Sequence, residues 1–290
     1  MKVSVIIPTY RRVGSLRKAI ESVILQTYSD IELIVVDDNA DAVWNEKVVS
    51  IVNQYPTAVY ICNEVNSGSA EARNIGIRAS HGEYISFLDD DDIYLPKKIE
   101  HQIKQMEAHS ADYSITDLYL YNESGKLIDR RIRNYIKKTD STSLLEYHLI
   151  HHITGTDSMM FRRDYLLKIG GFPPINLGDE FYLMKEAIKG NGKFIYVPGC
   201  FIKAYVHTGN DGLSSGQSKI DGENSLYKYK KKLFGRIDAK NRRYIKMRHY
   251  AVLAYAEVRQ KRYGLFISYA LHSFFSAPVS CIRLLVGVER

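Results

Sequence analysis

The stretch Tyr84-Ile85-Ser86-Phe87-Leu88-Asp89-Asp90-Asp91-Asp92 decides how this chain folds. Its first five residues form the mostly apolar run that is typical of a strand buried on both faces. Four aspartates follow directly, and like charges this close together repel unless a cation or water compensates them. Because an α/β sheet binds ligands at the carboxyl ends of its strands, the run predicts a divalent-metal site for a phosphorylated ligand. A solvated acidic turn before a helix near Pro96 is the alternative.

Strands and helices alternate in front of this run. Apolar segments predict strands at residues 3–7, 31–36 and 58–62, and helical periodicity predicts helices at residues 15–26, 45–54 and after Gly68. This order is typical of a parallel sheet with right-handed crossovers. Thr9-Tyr10 and Asp37-Asp38 follow the first two strands, so they should share one edge of the sheet with the aspartates. The sequence therefore predicts a cleft with acids on its floor.

The second half of the chain has a less regular pattern. Beyond a helix that ends near His109, we expect a hairpin, a short helix and three strands, at residues 113–132, 143–150, 158–161, 193–197 and 201–206. Asp179-Glu180 begins a further helix with apolar periodicity. The helix dipole stabilises acids in a first turn by about 0.3–1 kcal/mol, so capping alone would explain this pair.

The composition is that of an ordinary folded protein. Of the 290 residues, 45% are hydrophobic and 25% charged, which excludes a disordered chain. Met1-Lys2 leads directly into an apolar strand without a small-residue cleavage site, so we expect a cytoplasmic protein. Cys62, Cys200 and Cys281 are odd in number and widely spaced, which favours buried thiols over a disulfide framework or a zinc site.

The net charge of +7 is unevenly distributed along the chain. Residues 225–262 contain 13 Lys or Arg against Asp238 and Glu257, a net charge of +11, which leaves −4 for the rest. A basic segment of this kind suits nucleic acid or an anionic membrane surface. The acids on the predicted cleft floor and the lack of a known nucleic-acid module make nucleic acid the poorer partner.

Several motifs, taken in order, resemble the family 2 glycosyltransferases of the GT-A fold. The matching segments are Val5-Ile6-Ile7-Pro8-Thr9-Tyr10, Ser22 to Tyr28, Val35-Val36-Asp37-Asp38, Gly68 with Ala72-Arg73-Asn74 and Gly76, Gly82 to Asp92, Gly170-Gly171-Phe172, Asp179-Glu180, and His207 with Ser214-Ser215. The match is dense in the first half, sparse to about residue 215, and fades beyond Ser218.

The resemblance implies a Rossmann-like α/β fold, with a mainly parallel sheet, helices on both faces and an α-helical carboxyl-terminal extension. We expect a glycosyltransferase domain at residues 1–217, with a nucleotide-binding half at 1–110 and an acceptor half at 111–217. Residues 218–290 would form a basic amphipathic helical extension.

The resemblance also implies a nucleotide-sugar donor, most often a UDP-sugar, a Mn²⁺ or Mg²⁺ ion, and inversion at the anomeric carbon. Asp89 and Asp91 fit the metal-binding Asp-x-Asp pair, with Asp91 as the direct ligand, and Asp90 would bind the ribose. An all-oxygen site disfavours zinc. Four adjacent aspartates nevertheless offer two overlapping pairs, so the choice between Asp89/Asp91 and Asp90/Asp92 stays open.

The family's other donor contacts map onto residues before and after this run. Asp38 resembles the residue that accepts the uracil N–H, and Arg73 would neutralise a phosphate or brace Asp38. Further donor contacts are expected from Pro8, Thr9 and Tyr10, beside the base, and from His207, Ser214 and Ser215, on a segment that closes over the donor. His207 is also a candidate metal ligand.

Inversion requires a base on the far side of the sugar from the leaving group, and the family places it in an acidic pair at a helix start. Asp179-Glu180 matches this pair, in the reverse of the commonest order, Glu before Asp. Counting to Lys185 favours Asp179 and counting to Leu183 favours Glu180, so both are candidates and Asp179 is preferred. A positioned base contributes roughly 10²- to 10⁴-fold to a rate.

The carboxyl-terminal segment has no match to the family and is interpreted from its pattern. Apolar residues recur at helical spacing at Tyr244, Met247, Tyr250, Ala251, Ala254, Tyr255 and Val258, with basic residues on the opposing face. Residues 263–288 are more apolar, but His272, Pro278 and Arg283 interrupt them, which argues against a spanning helix. Peripheral membrane contact through residues 225–288, on the inner face of the plasma membrane, and packing on the catalytic domain or on a second subunit in a homodimer are the two interpretations.

The expected activity is hexosyl or N-acetylhexosaminyl transfer to a glycan or lipid-linked acceptor, in surface polysaccharide or glycoconjugate synthesis. A sugar nucleotidyltransferase is a weaker candidate, because Pro8-Thr9-Tyr10-Arg11-Arg12 lacks the repeated glycines of a phosphate loop. A catalytically silent homologue that binds nucleotide or anchors a partner at the membrane is the non-enzymatic alternative.

Overall fold

The structure is a computed structural model that describes residues 1–175, 178–206 and 216–286. The chain forms two compact units. The first comprises Met1–Leu144 and Ile153–His207, and the second comprises Leu145–His152 and Thr208–Arg290.

Four parallel strands form one side of the sheet of the first unit, in the spatial order β3-β2-β1-β4. They are β1 (Val3–Thr9), β2 (Ile31–Asp37), β3 (Ala58–Cys62) and β4 (Tyr84–Phe87). The helices between them are α1 (Val13–Ile24), α2 (Ala42–Val52) and α3 (Gly68–Ala79). Every side chain of β1 and β4 is buried, as expected of apolar runs that are covered on both faces. The predicted alternation of strands and helices is confirmed here.

The other side of the sheet is mixed rather than parallel. Its strands are β5 (Ile93–Tyr94), β6 (Tyr113–Asn122), β7 (Leu127–Arg131), β8 (Met159–Arg162) and β9 (Phe194–Val206). Strand β8 runs antiparallel between β4 and β6, and β9 is parallel to β6. Strand β5 pairs antiparallel with β9, and β7 forms the predicted hairpin with β6. The helices of this part of the chain are α4 (Lys98–Ala108), α5 (Ser141–His151), α6 (Arg163–Lys168) and α7 (Asp179–Lys189), and most of α5 belongs to the second unit.

Strand β9 differs from the sequence prediction, which placed two strands at residues 193–197 and 201–206. A single strand runs through both segments, and its pairing with β6 shifts register around Asp117. Gly199 has a φ of +128° at this shift, and its N–H donates to the Asp117 carboxylate at 3.0 Å. Because this side chain satisfies the displaced backbone, the strand continues past the irregularity.

In its described residues, the second unit contains four α-helices after α5: α8 (Gly216–Lys232), α9 (Ala239–Arg259), α10 (Tyr263–Ser276) and α11 (Pro278–Leu285). Helix α9 packs against the other three. Its burial does not follow the predicted amphipathic face, because His249 and Glu257 are buried whereas Tyr255 is exposed. Contacts on several sides therefore make α9 the central helix of this unit.

The cysteines differ in their environment from the prediction that all three are buried. Cys281 is buried and Cys200 is half-buried, but Cys62 is exposed at the end of β3, an edge strand. All three are free thiols. Among the described helices, none has both the length and the apolar character that crossing a bilayer demands.

Gly76 lets helix α3 lie close to strand β1. A Cβ atom at this position would lie 2.5 Å from Cγ2 of Ile6, whose side chain is fully buried. We expect Gly76→Ala to lower the free energy of unfolding by about 1–3 kcal/mol, because the added methyl group overpacks the helix–sheet contact. Chemical denaturation monitored by circular dichroism measures this change.

Gly14→Ala is the matched control, since Gly14 lies in α1 with no atom within 4 Å of the added Cβ. Here the gain in helix propensity should raise the stability by up to about 1 kcal/mol. Equal effects of the two substitutions would contradict the close approach of α3 to β1.

Candidate active site

The carboxyl ends of β1, β2 and β4 lie next to one another, as the sequence predicts. Thr9 pairs with Asp37 across β1 and β2, and Ile6 pairs with Phe87 across β1 and β4. The aspartate run begins two residues after Phe87 and therefore lies beside Thr9 and Tyr10. Parallel pairing thus collects the polar ends of three strands at one edge of the sheet.

Asp90 is a buried member of the run and contacts the end of β1. The Thr9 hydroxyl donates to its carboxylate at 2.7 Å, and the Tyr10 backbone N–H lies at 3.4 Å. Burial raises the pKa of Asp90 to about 6, although the Thr9 hydrogen bond and the Arg12 charge oppose this rise. Thr9 and Asp90, both predicted to contact the donor, are thus brought together.

Arg12 was missed as a site residue by the sequence interpretation. Its guanidinium forms an ion pair with Asp91 and lies 3.5 Å from Asp90. Its position three residues after the end of β1 could have revealed it, because the ends of β1 and β4 were predicted to share one edge of the sheet. The Asp91 carboxylate therefore faces a cation in this structure.

A second acidic cluster contains a residue that sequence reasoning also missed. Carboxylate oxygens of Asp89, Asp92 and Asp157 all lie within 4.8 Å of one another. Asp157 lies in a short 3₁₀ helix before β8, and its carboxylate accepts a hydrogen bond from the Asp89 backbone N–H at 2.8 Å. Asp157 is distant in sequence from the run, which explains why no local pattern indicated it.

The two buried members of this cluster hold their protons more tightly than usual. Burial, with the neighbouring charge of Asp157, raises the pKa of Asp92 well above its ordinary value. Burial likewise raises the pKa of Asp157 to about 6, with a contribution from Asp89. Carboxylates that are buried together in this way favour either a shared proton or a bound cation.

Among the described residues, the candidate ligands are all aspartate carboxylates, a donor set that fits a hard divalent cation. Asp89 belongs to both candidate sets: the predicted pair with Asp91, and the cluster with Asp92 and Asp157. The side chains of Asp89 and Asp91 are 36% and 13% exposed, whereas Asp92 is buried. The Asp89/Asp91 pair is therefore the more accessible to a ligand that enters from solvent.

Arg73 links the aspartate run to helix α7. Its guanidinium is buried, and it donates to Asp89 at 2.7 Å and to Asp179 at 2.8 Å. Burial alone would lower the pKa of Arg73, but the carboxylates of Asp89 and Asp179 raise it above its ordinary value. The guanidinium also lies 5.2 Å from the centre of the Phe172 ring. Arg73 pairs with these two acids rather than with Asp38, the partner that the sequence suggested.

Asp179 begins helix α7 and is 6% exposed. Burial raises the pKa of this carboxyl to about 7, and Glu180 adds to the rise, while the positive charge of Arg73 opposes it. Glu180 follows in the same helical turn and is half-buried. Of the two predicted base candidates, Asp179 is thus the one that forms an ion pair with Arg73 and has a pKa of about 7.

Asp38 has a different set of partners from those predicted. Its carboxylate accepts hydrogen bonds from the Asn63 side chain, from the Ser67 backbone and hydroxyl, and from the Gly68 N–H, at 2.8–2.9 Å. Three of these donors bond to Oδ1 and only the Gly68 N–H bonds to Oδ2, so Oδ2 keeps a free acceptor position. Asp38 therefore fixes the loop that leads into α3, and its contact with uracil stays a prediction.

The other residues predicted to contact the donor are Pro8 and Tyr10, at the end of β1, and His207, Ser214 and Ser215. Pro8 is buried within β1 and pairs with Val36, whereas the Tyr10 ring is 44% exposed. Arg11 lies over the Tyr10 ring at 5.2 Å. His207, Ser214 and Ser215 lie outside the described residues, so their assigned roles stay predictions.

The fold is shared with solved glycosyltransferases. The structure of Staphylococcus aureus TarS in complex with UDP-GlcNAc matches 95% of this chain and 91% of its own, with a TM-score of 0.62 and 15% identity. The mannosyltransferase PcManGT of Pyrobaculum calidifontis, in complex with GDP-Man and Mn²⁺, matches 100% of this chain and 76% of its own, with a TM-score of 0.57 and 15% identity. The predicted GT-A fold with a helical carboxyl-terminal region is confirmed.

Sequence relatives define the family. An uncharacterized glycosyltransferase of Methanocaldococcus jannaschii is 32% identical over 218 residues, 73% of either chain. Another, from Rickettsia felis, is 41% identical over 128 residues, 44% of this chain, which spans only 21% of that protein. The family described as glycosyl transferase family 2 matches residues 4–169, more than half of the 290 residues. The chain therefore belongs to glycosyl transferase family 2.

Matched variants can show whether a metal binds to Asp89 and Asp91 or to Asp89, Asp92 and Asp157. We expect Asp91→Asn to weaken Mn²⁺ binding by roughly tenfold or more, because a charged and accessible oxygen ligand is lost. Asp92→Asn should weaken it much less, because Asp92 is buried and lies outside the accessible Asp89/Asp91 pair. Isothermal titration calorimetry with Mn²⁺, in the presence and absence of UDP, measures both affinities.

The reverse ranking of the two variants would assign the metal to Asp89, Asp92 and Asp157. Because asparagine has nearly the same shape as aspartate, both variants should keep the fold. Circular dichroism melts of the metal-free proteins check this assumption.

Proposed function

We propose that this protein transfers a sugar from a UDP-sugar to an acceptor hydroxyl with inversion of the anomeric carbon. The observation that carries the proposal is the Arg73 bridge, which links the aspartate run to a buried acid at the start of α7. An inverting transferase needs both of these parts, one for the diphosphate and one for the acceptor. The nucleotide sugars in the TarS and PcManGT structures support a donor of this class.

The aspartate run would bind the diphosphate of the donor through a divalent cation. Asp89 and Asp91 are the proposed ligands, with Mn²⁺ or Mg²⁺ as the metal; the Mn²⁺ in the PcManGT structure supports this choice. When bound, such a cation stabilises as a Lewis acid the charge that develops on a departing diphosphate. Arg12, which now pairs with Asp91, adds a second positive charge within reach of a phosphate.

Asp179 is the proposed base that removes the proton from the acceptor hydroxyl. Its raised pKa, to about 7, makes the carboxylate a stronger base than an ordinary aspartate while leaving much of it ionised near neutral pH. Arg73 holds one carboxylate oxygen at 2.8 Å and so fixes the orientation of the group. Glu180, in the same turn of α7, is the alternative base.

The nucleoside would lie at the ends of β1 and β2. Asp90 is proposed to bind the ribose, since it is already held there by the Thr9 hydroxyl. Thr9, Tyr10 and Pro8 would contact the base, and Asp38 would either accept its N–H or act through the loop that it fixes. For His207 we keep the role at the metal or the diphosphate that the family resemblance implies, and for Ser214 and Ser215 a place on a segment that closes over the donor.

The biological setting follows from the acceptor class. We propose transfer of a hexosyl or N-acetylhexosaminyl group to a glycan or lipid-linked acceptor during surface polysaccharide or glycoconjugate synthesis. The protein would act in the cytoplasm or at the inner face of the plasma membrane, and a homodimer is compatible with this role.

The donor is tested directly with a panel of nucleotide sugars. The protein is incubated with Mn²⁺ and each UDP-, GDP- or dTDP-sugar in turn, and thermal protection and nucleotide release are recorded. We expect a UDP-sugar to raise the melting temperature and to release UDP, both in a Mn²⁺-dependent way. No response to any UDP compound would contradict the donor assignment, and a response to GDP-sugars alone would replace it.

The base is tested with two neighbouring variants. We expect Asp179→Asn to retain donor binding while transfer or donor hydrolysis falls by roughly 10²- to 10⁴-fold, because the proton acceptor is lost. Glu180→Gln, in the same helical turn, should lose much less activity. Nucleotide release with the responsive donor gives the rates, and the thermal shift gives donor binding.

The pH profile provides an independent check of the same residue. A base must be deprotonated to act, so the rate should rise with pH through about 7, where burial places the pKa of Asp179.

If Glu180→Gln rather than Asp179→Asn abolished turnover, the base would be Glu180.

A further inference from the structure

Most of the large apolar side chains of helix α10 are exposed, whereas two of its serines are buried. Ser273 and Ser276 are buried, and the Ser273 hydroxyl donates to the Met247 carbonyl of α9 at 2.9 Å. A helix that packs on a protein core normally shows the opposite arrangement, with its apolar side chains facing the core. Tyr269 packs against the buried cluster of Ile220, Leu253 and Ala256, but such contacts do not explain the exposed apolar side chains of α10.

Five exposed apolar side chains of α10 lie on one side of the helix, and we call them the outer stripe; the exposed Leu265 lies on another side. Its members are spaced by three, four or one residues, so they lie on one side of the helix. They are Tyr263, Ile267, Leu271, Phe274 and Phe275, all of them exposed. Helix α11 likewise exposes Val279, Ile282 and Leu285. Contiguous exposed apolar side chains of this size mark an interaction surface rather than ordinary surface variation.

Basic side chains are present at both ends of α10. Lys261 and Arg262 are exposed immediately before its first residue. At the other end, the exposed Arg243 of α9 donates to the Ser276 carbonyl at 3.0 Å. An apolar helix face with cations beside it suits a surface that is apolar inside and anionic outside.

We propose that the outer stripe of α10 docks on an anionic lipid surface, with Lys261, Arg262 and Arg243 at the level of the headgroups. A second copy of the chain fits this surface less well, because each copy carries a net charge of +11 within residues 225–262. Bringing two such segments together costs electrostatic free energy, whereas an anionic bilayer attracts both. The surface belongs to α10 rather than to α9, where the sequence pattern had suggested an amphipathic face.

The docking surface is independent of the proposed chemistry. Its residues lie in the second unit, and none of them belongs to the candidate active site. Lipid binding by a chain without transferase activity, or transferase activity without lipid binding, would therefore separate the two proposals.

The test is flotation of the full chain with vesicles of two compositions. One set contains phosphatidylcholine and phosphatidylglycerol in equal amounts, and the other contains phosphatidylcholine alone. We expect binding to the anionic vesicles, weakened by added salt, and at least about tenfold weaker binding to the neutral ones. The double variant Ile267→Ser/Phe275→Ser should bind the anionic vesicles at least about tenfold more weakly, because two inserted side chains are lost.

The matched control is Leu25→Ser/Val65→Ser. These two side chains are 70% and 71% exposed, as Phe275 is at 70%, but they lie in the first unit. The control variant should bind anionic vesicles as the unchanged protein does. Circular dichroism confirms that all variants are folded, which is expected because every substituted side chain is exposed.

Three results would overturn the proposal. The unchanged protein could fail to bind anionic vesicles. The Ile267→Ser/Phe275→Ser variant could bind them as well as the Leu25→Ser/Val65→Ser control does. Alternatively, sedimentation velocity could show a dimer that the stripe variant abolishes, which would assign the outer stripe to a second copy of the chain.

Discussion

The buried guanidinium of Arg73 is the contact on which the candidate active site depends. Removing this charge from water is costly, and its ion pairs with Asp89 and Asp179 compensate the loss. Loss of one partner from a buried pair typically costs about 3–5 kcal/mol, because the other charge stays buried and unpaired. The position of the aspartate run and the start of α7 are therefore coupled through one side chain.

This coupling also sets the protonation of the acids. Burial and the nearby Glu180 raise the pKa of Asp179, whereas the positive charge of Arg73 lowers it. Burial has the largest effect, so the pKa is about 7. At Asp90, burial similarly prevails over the Thr9 hydrogen bond and Arg12. The site thus holds several carboxyls whose affinity for a proton, and hence for another cation, is higher than in water.

Local patterns were sufficient for the first half of the fold. The run Val3 to Ile7 and the segment from Tyr84 to Leu88 could only be strands covered on both faces, and their order placed Thr9, Asp38 and the aspartates at one edge of the sheet. The same reasoning could not find Asp157, because a single aspartate in a 3₁₀ helix has no periodic signal. Nor could it show that Asp38 also fixes the loop that leads into α3, through hydrogen bonds from Asn63, Ser67 and Gly68.

The sequence by itself determined the α/β order, the run of four aspartates, the acidic pair at the start of α7 and the basic character of the carboxyl-terminal segment. The tertiary structure alone decided which charges meet: Arg73 and Asp179 are 106 residues apart, and Arg12 and Asp91 are 79 apart. It also decided that α10 buries Ser273 and Ser276 while Phe274 and Phe275 are exposed. Helical spacing defines the faces of a helix, but only packing against α9 determines which face is buried.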